Sequence, residues 1–176
     1  MSVLRIRLFG DPILRGVAKP IARWDARLMT LAQDMVETMR SANGVGLAAP
    51  QIGEPVAIMI AQLPDEIEPM EPLILANPEI VGEEGVETSK EGCLSIPDVE
   101  EDVERAARVR VRGLLPSGEI VEVDANGYLA RILQHEIDHL KGILFIDKIS
   151  PLKRRLLKKT LSEIKKRSEE TRGART

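Results

Sequence analysis

Between Asp25 and Ala42 the residues Leu28, Leu31, Ala32, Met35, Val36 and Met39 recur at steps of three, one, three, one and three. That spacing puts them on one face of an α-helix. Asp25 fits the N-cap, and Asn43-Gly44 supplies the stop. Val56 to Leu63 is an apolar run rich in β-branched residues between Pro55 and Pro64, which predicts a strand. Leu73 to Asn77 and Val86 to Ser89 are shorter strand candidates. Pro64 to Pro72, with three prolines and four acids, reads as a surface loop. Val109 and Val111 alternate with Arg108, Arg110 and Arg112. Val121 and Val123 alternate with Glu122 and Asp124. With the turn Pro116-Ser117-Gly118 between them, they predict an antiparallel hairpin. Gly127 to Lys141 returns to helical spacing, with Leu129, Ile132, Leu133, Ile137 and Leu140 on one face and Asp124 or Asn126 as the cap. Ser150-Pro151 opens a last helix to about Arg167. Its predicted apolar side is Leu152, Leu156, Leu157, Leu161 and Ile164, with Arg154, Arg155, Lys158, Lys165 and Lys166 opposite. The fold class is α+β: short antiparallel strands packed around a central helix, with an N-terminal and a C-terminal helix.

The 176 residues, 43% hydrophobic and 30% charged, suit one soluble domain over 1–176. The longest unbroken apolar run, Val56 to Ala61, has six residues, far short of the roughly 20 a membrane span needs. Arg5, Arg7 and Asp11 interrupt the stretch where a signal peptide would be apolar, so the expectation is a cytoplasmic protein. The single cysteine, Cys93, cannot form an intramolecular disulfide. Aromatics at 2% disfavour a base-stacking nucleic-acid module. Charge changes the picture more. Residues 147–176 hold 11 Lys and Arg against 4 Asp and Glu, a net of +7, so within a total of −3 the rest carries −10. An acidic body ends in a basic helix, 147–170. The plain reading of that helix is a solvated face.

The most specific local signal is His135-Glu136-Ile137-Asp138-His139. Residues four apart on a helix sit one turn above each other, so two imidazoles can share one metal ion. At about 100° per residue, Glu136 lies near such an ion without being a ligand, as suits a carboxylate that takes a proton from a nucleophilic water. Both histidines of the chain are in this motif. Two imidazoles do not complete a catalytic site, which commonly takes three protein ligands. No histidine follows His139, and Glu163, the next glutamate, falls in the basic helix. Cys93, in Glu91-Gly92-Cys93-Leu94-Ser95, is the outstanding upstream candidate. Its alternative reading is a small buried hydrophobe. Gly44-Val45-Gly46-Leu47-Ala48-Ala49-Pro50-Gln51 lets a backbone or substrate approach closely. It is not a phosphate loop, because no Gly-Lys-Ser/Thr follows.

These three segments, in this order and spacing, resemble the three signature motifs of the peptide deformylase family, and the resemblance extends over nearly the whole chain. It implies that the central helix is the metal-binding one, with Cys93, His135 and His139 as ligands. It implies Glu136 as general base and acid, and Gln51 with the backbone N–H of Leu94 as oxyanion donors. Gly44, Val45 and Gly46 would meet a substrate lying like an added strand, with Gly46 offering backbone hydrogen bonds. Val45, Leu129, Ile132 and the wall of His135 would line a methionine pocket. Glu91 and Arg105 match an opposite-charge pair that steadies the cysteine segment. The implied reaction removes the formyl group from the N-terminal formylmethionine of nascent polypeptides and releases formate.

His₂Cys ligation by itself points to zinc. The resemblance implies iron(II), one per chain, with zinc, nickel or cobalt able to replace it in preparations. Seven residues past Cys93, where bacterial relatives often carry Arg or an aromatic, this chain has Glu100. It lies within Asp98 to Glu104, five acids in seven residues, read as an acidic loop at the substrate entrance. Two rival readings are a zinc metallopeptidase, which lacks another third ligand, and a non-catalytic ribosome-binding module acting through the basic helix.

Overall fold

A computed structural model describes residues 2–173. The first helix, α1 (Ala26–Ser41), starts where its cap dictates, with the Asp25 carboxylate accepting from the Leu28 N–H at 2.8 Å. Five strands form one antiparallel sheet in the order β1 (Gly46–Ala48), β2 (Ile58–Ala61), β3 (Leu73–Glu84), β6 (Arg108–Leu114) and β7 (Ile120–Asn126). β4 (Glu87–Cys93) and β5 (Ile96–Arg105) form a separate antiparallel pair. The second helix, α2 (Gly127–Leu140), follows β7 directly.

The continuous apolar run at β2 has a physical reason. Met59 and Ala61 face a core shared with Leu133 and Ile137 of α2, whereas Ile58 and Ile60 face a core shared with Met35 and Met39 of α1. A strand covered on both faces has no polar side to alternate with. A third core joins Ile96, Val99 and Val103 of β5 to Phe145, Leu161 and Ile164.

Three expectations need correction. The segment Asp98 to Glu104 is a strand, not a loop. Asp98 stands at φ 62, so an irregular residue separates Ile96 from Val99 and shifts the inward phase to Val99, Val103 and Arg105. That shift hides the alternation behind outward acids. The strand at Leu73 also runs seven residues past Asn77, to Glu84, through two register shifts against β6.

The third correction concerns the C-terminal helix. It breaks at Leu157 into α3 (Pro151–Leu156) and α4 (Lys158–Gly173), and Leu152 and Leu156 are 65% and 76% exposed rather than packed inward. On a continuous helix Leu157, Leu161, Ile164 and Ser168 would fall within about 60° of one another, whereas Leu152 and Leu156 lie about 100–140° away. The apolar stripe from Leu157 to Ser168 is the side that packs on the body. Among the described residues no helix is long and apolar enough to cross a membrane.

Candidate metal centre and substrate cleft

Two separate pieces of chain bring the chemistry together. Helix α2 carries Arg131, His135 and His139 at steps of four, so all three face one way. The β4–β5 hairpin carries Cys93 at its tip, next to the turn residues Leu94 and Ser95. Cys93 Sγ lies 3.2 Å from His139 Nε2, which lies 3.2 Å from His135 Nε2, and the three ligand atoms all fall within 4.8 Å of one another. Tetrahedral bonds of about 2.0–2.1 Å to nitrogen and 2.3 Å to sulfur would set such atoms roughly 3.3–3.6 Å apart. The donor set therefore fits a single divalent ion.

The supporting bonds explain which nitrogen points inward. His135 Nδ1 contacts Glu91 Oε2 at 2.9 Å, leaving Nε2 for the centre. Glu91 also accepts from Arg105 Nε at 2.7 Å and from Arg131 Nη1 at 2.9 Å. Burial pushes the Glu91 carboxyl up, but the hydrogen bonds from Arg105 and His135 outweigh it and hold the pKa at about 2. The Arg105 guanidinium reaches on to Asp138, which Lys148 Nζ approaches at 3.5 Å. Burial pushes the His139 pKa well below the usual imidazole value, helped by the neighbouring His135. At His135 burial acts the same way, but the Cys93 sulfur and Glu91 overcome it and push the pKa up.

Glu136 is 4% exposed, and among the described residues its Oε2 has no hydrogen-bond partner. Burial lifts its pKa from 4.5 to about 7, with the charge of His135 opposing that rise. Gln51 sits in the short 3₁₀ helix after β1. Its Oε1 accepts from the Ala48 N–H at 2.8 Å, which turns its amide nitrogen toward Cys93 Sγ (3.6 Å) and Ser95 Oγ (3.2 Å).

In front of these groups opens a cleft of about 740 Å³. Gly44, Val45, Gly46, Gln51, Cys93, Leu94, Glu100, Ile132, His135 and Glu136 line it. His139 is behind this wall, 1% exposed. Leu129, expected in the pocket, is instead half-buried against the core around Leu133 and does not line the cleft. Among the described residues β1 is an edge strand, paired with β2 alone, so its other side is open for an extended chain. A Cβ on Gly44 would sit 2.7 Å from Leu94 Cδ1, so a side chain there would push the Leu94 side chain aside.

The sequence pattern did not single out Arg131 or Ser95, nor Lys90 and Tyr128, which also line the cleft. Arg131 had a legible signal: it lies four residues before His135 on a helix whose facing positions are otherwise buried. Ser95 had none, since only folding brings it to Gln51.

The family model for polypeptide deformylase matches residues 3–155. The peptide deformylase of Alkalilimnicola ehrlichii is 45% identical over 176 residues, spanning 100% of this chain and 98% of the relative. That of Mesorhizobium japonicum is 48% identical over 167 residues, spanning 94% and 95%. Among solved structures, a peptide deformylase from Legionella pneumophila aligns with a TM-score of 0.86 at 41% identity, covering 94% of this chain and 96% of its own. Arabidopsis thaliana peptide deformylase 1B, in complex with an inhibitor, aligns with a TM-score of 0.90 at 33% identity, covering 97% and 94%. Matches of this length and identity, on a chain with this Cys-His-His cluster, mean that the chain belongs to the polypeptide deformylase family.

Proposed function

We propose that Cys93, His135 and His139 hold one iron(II) ion and that the cleft in front of them carries out the family's reaction. That reaction is the metal-dependent hydrolysis of the formyl group from the N-terminal formylmethionine of nascent peptides. The observation that carries the assignment is the meeting of one thiol and two imidazoles beside a buried carboxylate with an unpartnered oxygen. A bound divalent metal supplies Lewis acidity and lowers the pKa of a water ligand to roughly 7.

The chain's own groups do the rest. With a pKa near neutrality, Glu136 can accept the proton of the attacking water and return it to the leaving nitrogen. Gln51, its amide already oriented by Ala48, and the Leu94 N–H donate to the developing oxyanion. The open edge of β1 binds the peptide backbone through Gly46, flanked by Gly44, and Val45 and Ile132 take the methionine side chain. Glu100, exposed at the cleft wall, meets the residues that follow methionine. Zinc, nickel or cobalt would occupy the same donors in preparations.

The setting is the cytoplasm, where formylated chains emerge, and the basic face of the C-terminal helix draws the enzyme to ribosomal RNA. Arg155, Lys158, Lys159 and Lys166 are exposed there. Co-sedimentation with ribosomes should weaken as salt rises, and binding indifferent to salt and to charge reversal would remove that part of the reading.

The decisive assay follows formate released from formyl-Met-Ala-Ser by anaerobic, iron-loaded protein. Turnover is expected, and Cys93→Ala should lose it together with stoichiometric metal. Loaded protein that releases no formate would defeat the proposal.

A further inference from the structure

Arg131 is 5% exposed and belongs to none of the ligand, acid–base or oxyanion groups. Both terminal nitrogens of its guanidinium are nonetheless engaged with the cysteine hairpin. Nη1 donates to Glu91 Oε1 at 2.9 Å and to the Val103 carbonyl at 2.8 Å, with the Ser89 carbonyl at 3.4 Å. Nη2 donates to the Glu87 carbonyl at 2.8 Å. One side chain of α2 thus holds both strands of the β4–β5 pair.

The need for such a tie is physical. A two-stranded pair is marginal without outside support. Its tip carries Cys93, yet the two imidazoles are on α2, so the sulfur-to-nitrogen spacing depends on how the hairpin docks on the helix. Glu91 keeps a contact from Arg105 Nε even without Arg131. The bonds that Arg131 alone supplies are those to the backbone of β4 and β5. Its stripe on α2 continues into His135 and His139, so the clamp and both imidazoles are fixed to one rigid element.

We infer that Arg131 is a positioning residue for the metal centre. It holds the Cys93 hairpin at the distance from His135 and His139 that three-ligand binding requires. This rests on the reading of Cys93, His135 and His139 as ligands.

The test uses cobalt(II)-loaded full-length protein and follows the thiolate-to-cobalt charge-transfer band during release to excess EDTA. Arg131→Met should shift that band and speed release about 10- to 100-fold, the usual range for a lost supporting contact. Arg131→Lys keeps the charge near Glu91 but cannot span both strands, so it should move both readouts the same way, by less. Leu28→Ala, a cavity in the core under α1, which holds no buried residue of α2, should lower stability while leaving band and release rate unchanged. If Arg131→Met does not fold, the lysine variant decides alone. Wild-type band and rate in the folded Arg131 variants would overturn the inference, as would equal acceleration by Leu28→Ala. A wild-type protein with no thiolate-to-cobalt band would instead remove the ligand assignment, and this inference with it.

Discussion

A Cβ placed on Gly46 would stand 2.3 Å from Glu136 Oε1, so the edge strand and the buried carboxylate occupy adjoining space only because residue 46 has no side chain. The backbone at Gly46 is not in a left-handed conformation, so close approach, not flexibility, demands glycine here. Gly46→Ala should displace the Glu136 carboxylate. Displacements of about 1 Å at a reacting group cost roughly 10²-fold in rate. Expected are a fall of that order in kcat and unchanged metal content. Wild-type turnover in the alanine variant would show that the carboxylate tolerates the shift.

Glu136→Gln should retain metal and lose roughly 10²–10⁴-fold in kcat, as the loss of a general base does. The same substitution has a stability signature in metal-free protein. The Glu136 pKa is raised from 4.5 to about 7 on folding, so the folded state holds an extra proton between those values. Stability therefore falls as pH rises through that window, by about 3 kcal/mol in all. Glu136→Gln removes the buried charge and should be stabilising above pH 7, with the gain vanishing below 4.5. Urea melts of the apo forms at pH 5 and pH 8 measure the difference. A gain independent of pH would point to packing instead.

Glu91 has the opposite sign. Its pKa is lowered from 4.5 to about 2, so its contribution to stability is complete above 4.5 and disappears as pH falls toward 2. The shift corresponds to about 3 kcal/mol. Glu91→Gln leaves the Arg131 guanidinium buried without a carboxylate and should cost about 3–5 kcal/mol at pH 7. The variant's melting curve should be flatter than the wild type's between pH 4.5 and 2. Parallel acid profiles for the two proteins would mean that other carboxylates govern acid unfolding.

The C-terminal correction has a direct test. Leu161 is 7% exposed and Leu156 is 76% exposed. Leu161→Ala should cost about 2–4 kcal/mol through lost burial and a cavity. Leu156→Ala should stay within about 0.5 kcal/mol. Similar losses at both positions would restore the inward placement of Leu156.

At the cleft mouth, Glu100 should disfavour negative charge near the third substrate residue. At a separation of about 8 Å, repulsion from a tripeptide's free carboxylate is roughly 0.5 kcal/mol at ε ≈ 80 and about 2 kcal/mol at ε ≈ 20. That amounts to roughly two- to thirty-fold in kcat/KM. Formyl-Met-Ala-Ser amide should outperform the free acid, with a gap that narrows as salt screens the charges. Glu100→Arg should close or invert the gap. Equal kcat/KM for acid and amide at low salt would place Glu100 out of the substrate's field.

The sequence by itself determined whatever depends on neighbours within a turn or a hairpin. The Asp25 cap, the stripe of α1, the β6–β7 hairpin and the one-turn spacing of His135 and His139 all follow from local periodicity and local hydrogen bonding. The motifs around Gln51, Cys93 and Glu136 are short runs of residue types, and their joint meaning came from the resemblance to the deformylase family. Tertiary structure alone decided what depends on distant partners. It made a strand of the acidic run at Asp98–Glu104, because Val99 and Val103 find Phe145, Leu161 and Ile164 beneath them. It turned Leu152 and Leu156 to solvent, because the helix meets the body along a stripe that they miss. It gave Arg131 its carbonyls and raised the pKa of Glu136, because those effects come from burial and from groups tens of residues away. Helical phase is set over four residues, whereas desolvation and strand partnership are set by whichever part of the chain folds alongside.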